Sequence, residues 1–375
     1  MSKSSQRISA ATALTLLVAS LCFSASGLPK TLELGAGAPD FNLPGVDGKN
    51  YKLADFDKAE VLVIVFTCNH CPTAQAYEER IKRLASDYKN KGVALVAISS
   101  NDPKAVRLDE LGYSDMSDSL EDMKIRAKRM GFSFPYLYDG ETQKVSRAYG
   151  PVTTPHVFVF DKARNLQFVG RIDDSEKPER VKVRDTRNAI EALLAGNEVP
   201  VKKTRTIGCS IKWSEKREYV KEAFEKWAAE DVTLEMIDAN GIKELVANDS
   251  GKLRLVNIWA TWCGACVVEF DDLVEINRMY RGREFEMITI SGDSPEKKDK
   301  ALSFLKKKQA SCKNYLFEPD DLYLLMESVD KESLGGMPYT LLIEPRGKII
   351  YRQLGMIDPL GLKTAIVEDL GRYYK

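Results

Sequence analysis

The chain has no net charge: 55 lysines and arginines balance 55 aspartates and glutamates. Without a basic excess, composition gives no reason to expect nucleic acid or an anionic membrane surface as partner. Long apolar runs are also missing after the N-terminus, so no later segment is long enough to span a bilayer. Cysteine is sparse as well, with 7 in 375 residues. That is too few for a fold held together mainly by disulfides. What remains is the composition of an ordinary globular protein, long enough for two domains that each bury a core.

The first 27 residues read as a secretory signal. Lys3 and Arg7 supply the positive start, Ile8 to Phe23 a short apolar run, and Ala25-Ser26-Gly27 small residues at a cleavage position. Cys22 lies within that run and follows Leu21, which is too bulky for lipidation there. The mature protein is therefore expected to be secreted or periplasmic, without a stable membrane span. Six cysteines would remain: Cys68, Cys71, Cys209, Cys263, Cys266 and Cys312.

Four of these form two Cys-x-x-Cys motifs in matching settings. Cys68-Asn69-His70-Cys71 follows the apolar run Val61–Phe66 and precedes a helical pattern from Thr73 to Tyr88. Cys263-Gly264-Ala265-Cys266 follows Leu253–Trp259 and precedes a helical pattern from Val267 to Tyr280. A strand fixes the first sulfur, and a helix N-terminus offers it free N–H groups and a partial positive charge. Both favour a thiolate at neutral pH. Zinc knuckles pair such motifs at about 12–20 residues, whereas here they are far apart, so redox dithiols are the expectation. Cys68 and Cys263 are expected to attack, Cys71 and Cys266 to resolve.

The order of elements repeats. The first half, residues 31–199, gives an Asp-Gly hairpin before Tyr51, strands at 61–66, 93–98 and 136–138, helices at 73–88 and 120–130, an edge hairpin at 156–160 and 165–171, and a closing helix at 186–194. Residues 200–213 read as a linker. In the second half, 214–375, an opening helix at 214–229 is followed by strands at 232–237, 253–259 and 285–290, helices at 267–280 and 301–308, an edge hairpin at 339–343 and 348–352, and a last helix at 360–370. Buried strands alternating with helices mean α/β. Each half is expected to be a central mixed sheet flanked by helices. Pro155 and Pro338 stand at matched places before the edge hairpins, which predicts a cis X-Pro bond beside each dithiol.

Trp262-Cys263-Gly264-Ala265-Cys266 with Met337-Pro338 resembles the thioredoxin fold, and Asn257–Cys263 looks like its exported TlpA/ResA branch. Glu269 matches a carboxylate of that branch; Asp271 replaces its usual proline. Ala38–Phe41, Phe66–Pro72 and Thr154-Pro155 resemble the redoxin (AhpC/TSA-like) branch, as does the Gly208–Trp213 segment that often follows such a domain. The resemblance implies two thioredoxin-like domains and thiol-disulfide oxidoreductase activity on protein thiols and disulfides, with an upstream redox donor or acceptor and no organic cofactor. The peroxidatic Pro-x-x-x-Thr/Ser-x-x-Cys pattern is missing around Cys68 and Cys71, which ranks a thiol peroxidase reading of the first domain second.

The two histidines of the chain, His70 and His156, both fall by the first site: one between the cysteines, one after Pro155. Either could stabilise a thiolate and make that disulfide more oxidising than the Gly-Ala site. Two cysteines and a histidine also suit Cu(I); Sco-type copper proteins are the remaining alternative, although their spacer is one residue longer. Cys312 reads as a buried small hydrophobe. Cys209 could resolve a mixed disulfide.

Overall fold

Val61–Thr67 is buried along its whole length because both faces of the strand are covered. Val61, Val63 and Val65 face one helical layer; Leu62, Ile64 and Phe66 face the other side of the sheet. The computed structural model describes Gly27, residues 29–333 and residues 335–374. The expected signal segment lies outside these residues except for Gly27.

In the first half β1 (Asn42–Pro44) and β2 (Asn50–Lys52) form the expected hairpin. A five-stranded sheet follows in the order β5-β4-β3-β7-β8. Its strands are β3 (Val61–Thr67), β4 (Val93–Ser99), β5 (Tyr136–Tyr138), β7 (His156–Phe160) and β8 (Leu166–Gly170), with β6 (Thr153–Thr154) just before β7. β3, β4 and β5 are parallel, and β7 and β8 form the antiparallel edge. The helices are α1 (Pro72–Tyr88), α2 (Leu120–Met130), α3 (Lys144–Tyr149) and α4 (Asp185–Leu194). α1 lays Tyr77, Ile81 and Leu84 on the valine face of β3, with Ala189 and Ile190 of α4 beside them.

Residues 200–213 are less of a free spacer than the sequence suggests. Cys209–Ser210 forms β9, antiparallel to β6. The Lys212 N–H donates to Asn101 Oδ1 at 2.9 Å, and the Lys212 carbonyl accepts from Asp102 N–H and the Gln143 amide. Polar composition marks a loop, but these partners are distant in sequence, so composition could not reveal the docking.

The second half opens with α5 (Arg217–Ala228) and builds a six-stranded sheet in the order β10-β13-β12-β11-β14-β15. The strands are β10 (Glu235–Ile237), β11 (Leu253–Trp259), β12 (Phe285–Ser291), β13 (Lys313–Phe317), β14 (Tyr339–Ile343) and β15 (Ile349–Leu354). The helices are α6 (Ala239–Ala247), α7 (Gly264–Tyr280), α8 (Lys298–Lys308), α9 (Leu322–Val329) and α10 (Pro359–Leu370). α6, β13 and α9 are additional to the elements that the sequence pattern predicts. Asp238 and Asp321 cap the two helices, each accepting a backbone N–H of the first turn.

The halves share packing. Val106 and Leu111, from the segment between β4 and α2, are buried in one cluster with Leu273, Ile276, Met279 and Tyr280 of α7. Asp115 receives Arg372 at 2.8 and 3.0 Å and the Thr364 hydroxyl at 2.8 Å. Among the described residues no helix is long and apolar enough to cross a membrane.

Candidate active site: two dithiols of unlike build

Both dithiols stand where β3 and β11 end and α1 and α7 begin, and each half has the expected cis proline, Thr154–Pro155 and Met337–Pro338. The local builds differ. In the second site Cys263 is the N-cap of α7 and its sulfur accepts the Cys266 N–H at 3.2 Å. The pair is a disulfide with a Cα–Cα distance of 5.3 Å.

In the first site the N-cap is Cys71, three residues after the cysteine expected at the helix start. Pro72 disfavours helical φ/ψ at the residue before it and itself suits the first helical position. Cys71 is accordingly extended (φ −68°, ψ 120°), and its sulfur accepts the Ala74 N–H at 3.4 Å. The helix-terminus stabilisation assigned to Cys68 therefore falls on Cys71. Cys68 Sγ instead lies 3.2 Å from the Thr154 hydroxyl. Burial pushes the Cys68 thiol well above its ordinary pKa, with Cys71 and the Asp118 charge adding to it. Burial acts the same way on Cys71, but hydrogen bonds from Cys209 and Cys68 and the charge of His70 outweigh it and hold Cys71 well below.

His70 does not reach this site as a free cation. Its Nδ1 is 2.5 Å from Asp118 Oδ2, and both groups are buried. Asp118 also accepts the N–H groups of Asn69 (2.8 Å) and His70 (3.1 Å) and the Asn101 amide (2.8 Å). Burial alone would lower the His70 pKa; the charge and hydrogen bond of Asp118 overcome this and raise it. Asp118 was not legible in advance. It sits in a polar Ser-Asp-Ser stretch before α2 and meets His70 only through the fold. Cys68, His70 and Asp118 place one potential metal-ligand atom each within 4.8 Å of one another.

His156 is not brought to the dithiol. Strand alternation puts it on the face of Phe158, whose ring is 4.7 Å away, opposite the face that carries α1. Its Nδ1 accepts the Val152 N–H at 3.2 Å. Burial, helped by Lys203, lowers its pKa to about 4. The expected Cys68, Cys71 and His156 set for Cu(I) is therefore not assembled.

Around the second site Trp262 is 53% exposed and lines a shallow cavity with Leu322, Tyr323 and Met337. Glu269 is buried on α7; its Oε1 accepts the Asn257 amide at 3.1 Å and its Oε2 the Ile357 N–H at 2.9 Å. Burial raises its pKa against these two bonds. Asn257, the uncharged polar residue of a mostly apolar strand, is the visible sign of that partner. Cys312 packs against two apolar clusters, and burial pushes its thiol up to about 12.

Residues 34–169 match the AhpC/TSA family and residues 225–366 the Redoxin family. The thiol-disulfide oxidoreductase ResA of Geobacillus thermodenitrificans is 25% identical over 131 residues, which is 35% of this chain and 65% of that protein. The thiol:disulfide interchange protein DsbE of Escherichia coli K12 is 32% identical over 110 residues, 29% of this chain and 53% of that protein. The chain thus spans between half and two thirds of these relatives. Among solved structures, an uncharacterized conserved protein from Geobacillus kaustophilus is 41% identical, with a TM-score of 0.45, over 50% of this chain and 95% of its own. A putative DsbE from Chlorobium tepidum is 22% identical, with a TM-score of 0.33, over 44% of this chain and 98% of its own.

Proposed function

The chain is a tandem of two redoxin-family domains of thioredoxin-like fold, and from that premise we propose that it is an exported thiol-disulfide oxidoreductase exchanging disulfides with protein partners through both Cys-x-x-Cys sites. The observation that carries this reading is the repeated constellation of strand end, dithiol, helix start and opposed cis proline. Export rests on the signal-like first 27 residues, and the domains are taken as 31–199 and 214–375. The names of the ResA and DsbE relatives agree with the reaction type.

In the second site Cys263 is the nucleophile. It is the helix N-cap, and it lies next to the exposed Trp262. A Cys263 thiolate attacks a partner disulfide, one partner sulfur leaves as thiolate, and Cys266 then displaces the other and closes the Cys263–Cys266 bond. Glu269, kept protonated more readily by burial, is the nearby store for a proton. In the first site Cys71 holds the stabilised thiolate, and the Cys68–Cys71 bond is the oxidised state.

The test equilibrates the purified chain in glutathione buffers, reads each cysteine pair by mass spectrometry after alkylation, and assays turnover on a disulfide-bonded protein. Two reversible couples inside the roughly −270 to −120 mV range of this fold, with turnover lost in Cys263→Ser, support the reading. Pairs that never interconvert, or turnover indifferent to Cys263, would sink it.

A further inference from the structure

The first dithiol is closed to macromolecules: Cys68 is 2% exposed and Cys71 0%. A thiol so enclosed is harder for a folded partner's disulfide to reach than Cys263, which is 7% exposed beside the open Trp262. A third sulfur lies between it and solvent. Cys209, half-buried, packs against Cys68, Cys71 and Ala74. Its backbone pairs with Thr154, the residue before the cis proline, in the β6–β9 ladder.

That placement is built in. A Cβ on Gly208 would come within 2.0 Å of the Thr154 carbonyl oxygen, so only glycine allows the strand to lie this close. Downstream, Lys212 is held by Asn101, Asp102 and Gln143. On its outer side Cys209 meets the Tyr374 hydroxyl, and the Tyr374 ring packs edge-on against Tyr113 at 4.9 Å. On its inner side it packs against the cluster that holds the Cys71 sulfur.

We propose that Cys209 is the outer thiol of a three-cysteine relay, taking disulfides from protein partners at the surface and passing them through Cys71 to Cys68. This rests on the dithiol-exchange reading of the first site. Cys209, half-exposed, gives up its proton to solvent. The Cys209 thiolate attacks a partner disulfide, forming a Cys209–partner bond and releasing one partner thiolate. The Cys71 thiolate attacks Cys209 Sγ, which forms the Cys71–Cys209 bond and releases the second partner thiolate. Cys68 then attacks Cys71 Sγ, leaving a Cys68–Cys71 disulfide and a free Cys209 thiolate. Two electrons pass from Cys68 and Cys71 to the partner disulfide, and the two partner thiolates take up two protons, matching those lost by Cys209 and Cys68. Run backwards, the same steps oxidise a partner dithiol.

The test maps disulfides by non-reducing peptide mass spectrometry in the full chain after limited oxidation with diamide. The parent is expected to yield Cys68–Cys71, and Cys68→Ser to yield Cys71–Cys209 in its place. Cys209→Ser should still form Cys68–Cys71 with the small oxidant, yet exchange at least tenfold more slowly with a disulfide-bonded protein. A Cys68→Ser chain in which Cys71 never pairs with Cys209, or protein exchange unaffected in Cys209→Ser, overturns the relay while the dithiol stands. A parent that forms no Cys68–Cys71 bond overturns both. The Cys68→Ser mapping does not depend on how well the Cys209 variant folds.

Discussion

The Tyr280 phenol donates a 2.8 Å hydrogen bond to the Ser114 carbonyl, joining the last residue of α7 to the loop that also carries Asp118. Cys263 caps the opposite end of the same helix. Seventeen residues at about 1.5 Å each put roughly 25 Å between the second dithiol and this contact. The first dithiol is near the domain interface, and the second points away from it.

A short linker between unequal dithiols would favour an internal electron relay through high effective concentration. The packed interface opposes it, since the sites cannot touch without parting Val106 and Leu111 from α7. We expect exchange between the two sites to be first order in added protein or absent. Selective reduction of Cys263–Cys266, followed by timed alkylation of the first site at several protein concentrations, measures this; a concentration-independent rate would refute it.

His70→Ala should make the first site more reducing. The substitution removes the cation that favours the Cys71 thiolate and leaves Asp118 buried beside Cys68 without its main partner. A loss equal to one charge-assisted hydrogen bond, about 1.4 kcal/mol or more, lowers the potential by about 30 mV or more. Equilibration with glutathione reads the shift. The pair also links stability to pH. The folded His70 pKa is raised, so its contribution is complete below about pH 6.5 and fades as pH rises through the raised value.

His156 has the opposite sign. Its pKa falls from 6.5 to about 4 on folding, which corresponds to about 3 kcal/mol. That stability is present above pH 6.5 and lost as pH falls towards 4. Protonation would also cost the bond from the Val152 N–H. His156→Gln should flatten this acid limb in denaturant melts at a series of pH values, while leaving the potential of the first dithiol unchanged because the ring faces the other side of the sheet.

Gly208→Ala should loosen the strap over the first site. The added methyl meets the Thr154 carbonyl at 2.0 Å, and relief of such overpacking costs on the order of 1–3 kcal/mol. Displacing β9 uncovers the sulfurs, so Cys68 and Cys71 should be alkylated at least tenfold faster in the native state. Unchanged alkylation rates and an unchanged denaturation midpoint would show that the strand is not held by this contact.

Both dithiols, both cis prolines and the α/β order of each half were legible in the residue pattern. These features are local. A Cys-x-x-Cys spacing, a buried strand run and a proline before an edge strand each express their physics within a few residues. The Cys71 cap is equally local, since Pro72 is adjacent. The remaining features depend on long-range folding. Asp118 reaches His70 from 48 positions away, and Tyr280 reaches Ser114 across 166. Cys209 meets Cys71 only because Gly208 lets β9 pair with the cis-proline loop. His156 turned on strand register, where one residue exchanges the two faces of a sheet. Such pairings leave no periodic or compositional trace, because each depends on where distant segments close and not on what either segment prefers alone.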